Sequence, residues 1–376
     1  MKNLLIASDR FLPEKNGLVR FLQEIIPFMQ NKYNISLLIP KTDKFENNTG
    51  IDLEKIKTID LPTHKFQVAD YTPPKLKLSK IKNAIRNAEI VWINSCGIIG
   101  LTSLHYAKKY NKPTYVYTHC QDWDLVHQSI KVPRYIGKIF RKIALFVLKR
   151  YYNRSTLMVP STLLGEKLSN LGFNSEKIVV PLGIDKNKFR PATENEKFIA
   201  KQRLKLDNKL VIGYIGRIAL EKDLATLNDA FKILKKELKK DISLMLIGDG
   251  PGKHKRIFEK DILITGYVEN VHEYLKAVDI FVLPSLTETS SLATMEAMAS
   301  GIPVVTTKVG SIPNYIKDMD NGLFFEAGDA NDLVSKLFTL IINKEMYNSI
   351  SKNAHETMKD LNWENTASLI DKELEK

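Results

Sequence analysis

Short apolar runs alternate with amphipathic stretches along the whole chain. Residues 4–8, 35–40, 90–94, 114–118 and 157–160 are near-continuously apolar, the pattern of strands buried inside a parallel sheet. Between them, 19–30 and 101–109 carry apolar residues at helical spacing. A second series starts at Leu210, with strands expected at 211–215, 244–247, 280–283 and 304–306. Strand–helix alternation of this kind predicts an α/β protein of two doubly wound, Rossmann-like domains. The boundary falls within 181–203, PLGIDKNKFRPATENEKFIAKQR, where proline and charge replace apolar periodicity. We place a first domain at 1–185, a second at 186–358, and a final segment at 359–376 that ends in an amphipathic helix. No solenoid-period repeat and no low-complexity tract interrupts the pattern.

The richest chemistry lies in SLTETSSLATMEAMASGIPVV, residues 285–305. Ser285–Ser291 reads as a loop after a strand. Residues 292–300 read as a helix of Ala, Leu, Met and Glu that Gly301 and Pro303 end. Glu288 then lies in the loop and Glu296 about one turn inside the helix. The free N–H groups of Ser290, Ser291, Leu292 and Ala293 would face whatever occupies the loop, making an anion site with carboxylates beside it. A sugar nucleotide needs this pairing, with donors for the diphosphate and carboxylates for sugar and ribose hydroxyls. Taken alone, the same stretch equally describes a strand–loop–helix with solvated glutamates. Upstream, VIGYIGRIALEKDLATLNDAF (211–231) is a strand, a glycine turn and a helix. Gly216 permits close backbone approach, and Arg217 and Lys222 offer a forked donor set and a mobile charge suited to a pyrophosphate.

Two loops of the first half carry further candidates. In FLPEKNGLVRFL (11–22), Gly17 opens a helix after the first strand. In THCQDWD (118–124), His119 directly follows a strand.

Together the segments YIGRIALEKDL, LIGDGP, GYV, VDIFVLPSLTETSSLATMEAMASGIPVV and NGLFFEAGDANDLVSKL, in that order, resemble the retaining glycosyltransferases of the GT-B fold known as family 4. The resemblance covers nearly the whole chain and is specific for the superfamily, not for sugar or acceptor. It implies two Rossmann-like domains with a cleft between them, and a final helix that packs back on the N-terminal domain. It implies transfer of a hexose, with retention, from a UDP- or GDP-sugar, without a metal or other cofactor. Arg217 and Lys222 would meet the diphosphate and Glu288 the sugar hydroxyls. Glu296 would bind the ribose, and His119 would face the hexose. Gly17, Gly216, Val268, Ser290, Ser291, Leu292 and Ala293 would complete the donor site. The sequence departs from the family in two places: Thr289-Ser290-Ser291 stands where Gly-Phe-Gly is common, and Asn16 stands in the first position of a usual glycine pair.

Composition narrows the setting. With 376 residues, 44% of them hydrophobic, the chain can bury large cores. Its first residues, MKNLLIASDRF, are too short an apolar run for a signal peptide. No run approaches the roughly 18 apolar residues of a membrane span. Cys96 and Cys120 offer neither a metal spacing nor a disulfide framework, as expected of a reducing cytosol. Asp122 and Asp124 alone make no metal box. The net charge of +13 is uneven: residues 1–185 hold 28 basic and 15 acidic side chains, and 186–376 hold 28 of each. Such a basic half expects an anionic partner. Its runs are KLKLSKIKNAIR (75–86) and KVPRYIGKIFRKIALFVLKRYYNR (131–154). On a helix from Pro133, Arg134, Lys138, Arg141 and Lys142 fall on neighbouring positions. Ile136, Ile139, Phe140, Ile143 and Val147 form an apolar face, expected to turn toward the core. Basic amphipathic helices bind anionic membrane surfaces, so the expected acceptor is a membrane lipid or lipid-linked glycan and the expected place the inner face of the cell membrane. No aromatic–basic RNA motif is present, and nucleic acid is not an expected partner. Two rival readings stay open: a sugar-nucleotide epimerase of similar architecture, and a non-catalytic nucleotide-sugar or nucleic-acid binding protein.

Overall fold

A computed structural model describes residues 1–376 except 15, 42–49, 53, 67–71, 120–133, 239–240 and 260–261, and except the side chains of 134–136, 138, 140 and 253. The chain divides into two compact units. One comprises Met1–Leu182 with Trp363–Lys376, the other Gly183–Asn362.

The first unit is built on seven strands: β1 (Asn3–Ala7), β2 (Asn34–Pro40), β3 (Lys57–Leu61), β4 (Ile90–Ile93), β5 (Thr114–Tyr117), β6 (Thr156–Val159) and β7 (Lys177–Val179). They lie in the order β3-β2-β1-β4-β5-β6-β7, every pairing parallel. The second unit has six: β8 (Leu210–Ile215), β9 (Ile242–Ile247), β10 (Leu263–Ile264), β11 (Ile280–Leu283), β12 (Val304–Thr306) and β13 (Leu323–Phe324). Their order is β10-β9-β8-β11-β12-β13, again all parallel. Each sheet reverses its direction of growth once, at β1/β4 and at β8/β11. The loops leaving the carboxyl ends of those strand pairs diverge to opposite faces and open a crevice, the usual ligand position in such sheets.

The interior strands match the apolar runs because both of their faces are covered. Leu5, Ala7, Val91, Ile93, Val116, Leu157 and Val159 from the first sheet pack against Ile81, Ile85, Leu104, Leu164 and Leu168 from helices. Four strands carry no such signal: β3, β7, β10 and β13 lie at sheet edges. The partly covered edge strands tolerate Lys57 and Asp60 in β3 and Lys177 in β7, and β10 and β13 are two residues long.

One expectation is overturned. The helix Arg134–Tyr152 does not turn Ile139 and Ile143 toward the core. Leu148 and Tyr152 are buried there, with Ala144, Leu145 and Tyr151 packed alongside. Ile139, Ile143 and Phe146 are 55%, 54% and 73% exposed. The helix has apolar residues on two faces, and the one richer in large contacts, with Tyr152 against Phe173, takes the core.

The helix Trp363–Leu374 joins the first unit by packing on the helix Gly17–Met29. The Tyr33 hydroxyl donates to Asp371 at 2.7 Å and the Tyr115 hydroxyl to the Glu373 carbonyl at 2.8 Å, while Lys32 pairs with Asp371. Burial, with Asp371 beside it, pushes the Tyr33 hydroxyl well up, so it stays a donor.

Candidate active site

In the second unit, the loops after β8 and β11 are neighbours because those strands pair. The Leu286 N–H donates to the Glu221 carbonyl at 2.9 Å and ties the loops together. Lys222 closes the short 3-10 turn Leu220–Lys222, and its ammonium donates to Glu288 Oε1 at 2.5 Å. The buried Ser285 hydroxyl donates to the same oxygen at 2.8 Å. The pair is mostly enclosed, with 18% of the lysine and 12% of the glutamate side chain exposed. Arg217 is different: 61% exposed, it pairs with Glu221 at 2.5 Å. Its carbonyl accepts from the Tyr214 hydroxyl at 2.9 Å. Gly216 precedes it at φ 148°, and a Cβ there would meet that hydroxyl at 2.6 Å.

The helix Leu292–Ala299 starts from Ser291. Ser291 holds φ 51°, the left-handed conformation that glycine adopts freely. Its hydroxyl accepts from the Thr294 N–H at 3.3 Å, a cap that glycine cannot supply. This accounts for serine at the last position of the departing tripeptide. Ser290 is buried, and its hydroxyl has no partner among the described residues. Its carbonyl accepts from Tyr315 at 2.7 Å. The N–H groups of Leu292 and Ala293 likewise meet no acceptor among the described residues. Glu296, half-buried, lies further along the same helix. Val268, also half-buried, follows β10, two strands from β8 in the sheet.

The loop after β12 was not marked in the sequence, yet it supports Glu288. The Ser311 N–H donates to the Thr289 carbonyl at 2.6 Å. Gly310, at φ 58°, comes so close that a Cβ would lie 2.4 Å from the Glu288 carbonyl oxygen. We expect Gly310→Ala to displace the Glu288 loop, cutting turnover at least about tenfold and destabilising the unit by about 1–3 kcal/mol. Turnover and thermal unfolding of the variant check this.

In the first unit, Asn16 caps the helix Gly17–Met29, its Oδ1 accepting from the Val19 N–H at 3.0 Å. A Cβ on Gly17 would meet nothing within 4 Å, so packing does not demand glycine there. Asp9, after β1, accepts from the N–H groups of Ile99 at 2.7 Å and Gly100 at 3.0 Å and so caps the helix Ile98–Lys109 that follows β4. His119, after β5, has its Nε2 2.7 Å from Asn94 Oδ1. Its ring packs on Tyr117 and Phe21 at 4.5 and 4.8 Å between centroids. Burial lowers its pKa to about 3, so the imidazole is neutral at physiological pH. Of the basic candidates, Lys142 is exposed and Arg141 half-buried, whereas the side chains of Arg134 and Lys138 lie outside the described residues, as do Asp122 and Asp124. Among the described residues no cluster of three or more His, Cys, Asp or Glu is placed to hold a metal ion.

Residues 195–357 match the family described as glycosyl transferases group 1. The sulfoquinovosyl transferase of Arabidopsis thaliana is 28% identical over 290 residues, covering 73% of this chain and 54% of that one. The chain thus spans about half the length of that relative. The alpha-monoglucosyldiacylglycerol synthase of Acholeplasma laidlawii is 26% identical over 373 residues, covering 94% and 92%. Among solved structures, Anabaena HepE in complex with UDP and glucose superposes with a TM-score of 0.78 over 100% of both chains at 16% identity, a likeness of fold. The two parallel Rossmann-like sheets define the GT-B fold, and residues 195–357, within the second unit, carry the match to glycosyl transferases group 1.

Proposed function

We propose that the protein moves a hexose, with retention, from a UDP- or GDP-sugar to a hydroxyl of a membrane lipid or lipid-linked glycan, with no metal ion. The observation that carries this reading is the enclosed Lys222–Glu288 pair beside the open N-terminus of the helix Leu292–Ala299, at the switch point of the second sheet. Lys222, Arg217 and the helix N–H groups stabilise the charge that grows on the diphosphate as the bond from the anomeric carbon to the phosphate oxygen breaks. Glu288 holds sugar hydroxyls, Glu296 the ribose, and His119 orients the hexose. The acceptor oxygen bonds to the anomeric carbon on the face the diphosphate leaves. Its proton passes to a leaving diphosphate oxygen, so no separate base is required. A screen of nucleotide sugars, read by released UDP or GDP with and without lipid extract, tests this. Turnover that needs no acceptor would favour an epimerase, and nucleotide binding without turnover a non-catalytic protein.

The lipid acceptor draws support from relatives named alpha-monoglucosyldiacylglycerol synthase and from the surface of the first unit. No helix among the described residues is long and apolar enough to cross a membrane. The helix Arg134–Tyr152 instead exposes Ile139, Ile143 and Phe146 beside Lys142 and Arg150, the make-up of a helix lying in an anionic lipid surface. Purified protein is expected to bind anionic vesicles and not neutral ones. Raising salt from 0.1 to 1 M, which shortens the Debye length from about 10 to about 3 Å, should weaken binding. Ile143→Asp with Phe146→Asp should weaken it at least about tenfold without altering affinity for UDP or GDP. Equal, salt-insensitive binding to neutral vesicles would remove the electrostatic part of this account.

A further inference from the structure

The proposed chemistry leaves Asn94 unused. It follows β4, is fully buried, and lies in the crevice loops of the first sheet beside the Asp9 cap. Its Oδ1 is 2.7 Å from His119 Nε2, and its Nδ2 has no partner among the described residues. A carbonyl oxygen can only accept. The hydrogen of this bond therefore sits on Nε2 of His119. A neutral imidazole carries one hydrogen, so Nδ1 is left as a lone-pair acceptor.

We propose that Asn94 is a positioning residue: it fixes His119 in the Nε2–H tautomer and presents Nδ1 as an acceptor for a hydroxyl of the donor hexose. Phe21 and Tyr117 hold the plane of the ring, and Asn94 decides which nitrogen carries the hydrogen. Burial keeps the ring neutral, so the choice of tautomer is the one variable left to set. Without Asn94 the ring is free to place its hydrogen on Nδ1, which then offers a donor where the Nε2–H tautomer offers an acceptor, and the bonded hydroxyl must turn its own hydrogen elsewhere. The unpartnered Nδ2 is a second group available to the same ligand, because a buried amide hydrogen is costly to leave unbonded.

The hexose contact and the kinetic arm of this inference rest on the glycosyltransferase reading; the tautomer does not. Ring nitrogen NMR of ¹⁵N-histidine-labelled full-length protein, with His119 assigned by loss of its signals in His119→Gln, reads the tautomer directly. The wild type should show Nε2–H, and Asn94→Leu should show a mixture or Nδ1–H. With UDP-glucose or GDP-mannose, whichever is turned over, Asn94→Leu should lower kcat at least tenfold while the Kd for UDP or GDP changes less than twofold. Asn94→Asp, which keeps an acceptor for Nε2–H, should retain the tautomer and more of the rate. In a His119→Ala background, Asn94→Leu should cost nothing further, whereas a merely structural asparagine would give additive losses. An Nδ1–H wild type, an unchanged kcat in Asn94→Leu, or additive losses would each overturn the proposal. If Asn94→Leu does not fold, the wild-type tautomer and the Asn94→Asp variant decide. Absence of turnover with every nucleotide sugar would fault the reaction assignment and leave the tautomer result standing.

Discussion

Glu288→Ala is expected to lower turnover by about ten- to a hundredfold while leaving the fold in place. The carboxylate accepts two hydrogen bonds, from Lys222 and Ser285, and both come from loops rather than from the sheet. In the proposed reaction it also orders the sugar hydroxyls. A hydrogen bond to a charged group contributes about 1.5–3 kcal/mol, and each 1.4 kcal/mol of barrier is about tenfold in rate. Stability should fall far less, because the freed Lys222 chain can swing its ammonium to solvent. Glu288→Gln keeps an acceptor but loses the charge that holds Lys222, so its rate should fall between wild type and alanine. Steady-state turnover beside a thermal unfolding curve separates the two effects. A folded alanine variant with wild-type turnover would remove Glu288 from the reaction.

Lys222→Ala and Arg217→Ala should both slow transfer more than they weaken binding of free UDP or GDP, since their charge matters most when the diphosphate becomes a leaving group. The structure separates them. Lys222 is enclosed and its loss leaves Glu288, 12% exposed, without its counter-ion. That variant should lose about a hundredfold in kcat and also unfold at lower temperature. Arg217 is 61% exposed, and its bond to Glu221 is of the kind that contributes little to stability. Arg217→Ala should therefore lose rate with almost no change in unfolding temperature. Rate and unfolding curves for both variants test this, and a double variant with normal turnover would contradict the leaving-group role.

What could be read in the chain follows a physical rule. Interior strands such as β4 and β11 announce themselves because both faces are apolar, whereas β3, at the sheet edge, is only partly covered and hides behind Lys57 on one face and Asp60 on the other. The Arg134–Tyr152 helix misleads for a related reason. Ile139 and Ile143 on one side and Leu145, Leu148 and Tyr152 on another both keep helical spacing, and only the shape of the receiving surface decides which side sinks. At the site, Gly216, Arg217, Lys222 and Glu288 stood out because each follows a strand. That Lys222 and Glu288 form a pair was not legible, since it depends on β8 lying next to β11. Asn94 and Gly310 are single residues whose partners, His119 and the Glu288 carbonyl, come from other loops.

The return of the helix Trp363–Leu374 to the first unit has a consequence for the order in which the molecule is made. On the ribosome, every residue of Gly183–Asn362 is synthesised before the segment that Tyr33 and Tyr115 bond. The second unit has its whole sequence available first and can close around its own sheet. The unit begun earlier must wait, with the flank of the helix Gly17–Met29 uncovered, until Trp363–Leu374 has been made. A chain released after residue 362 should accordingly show a protease-resistant second unit beside a first unit still open to cleavage along that flank.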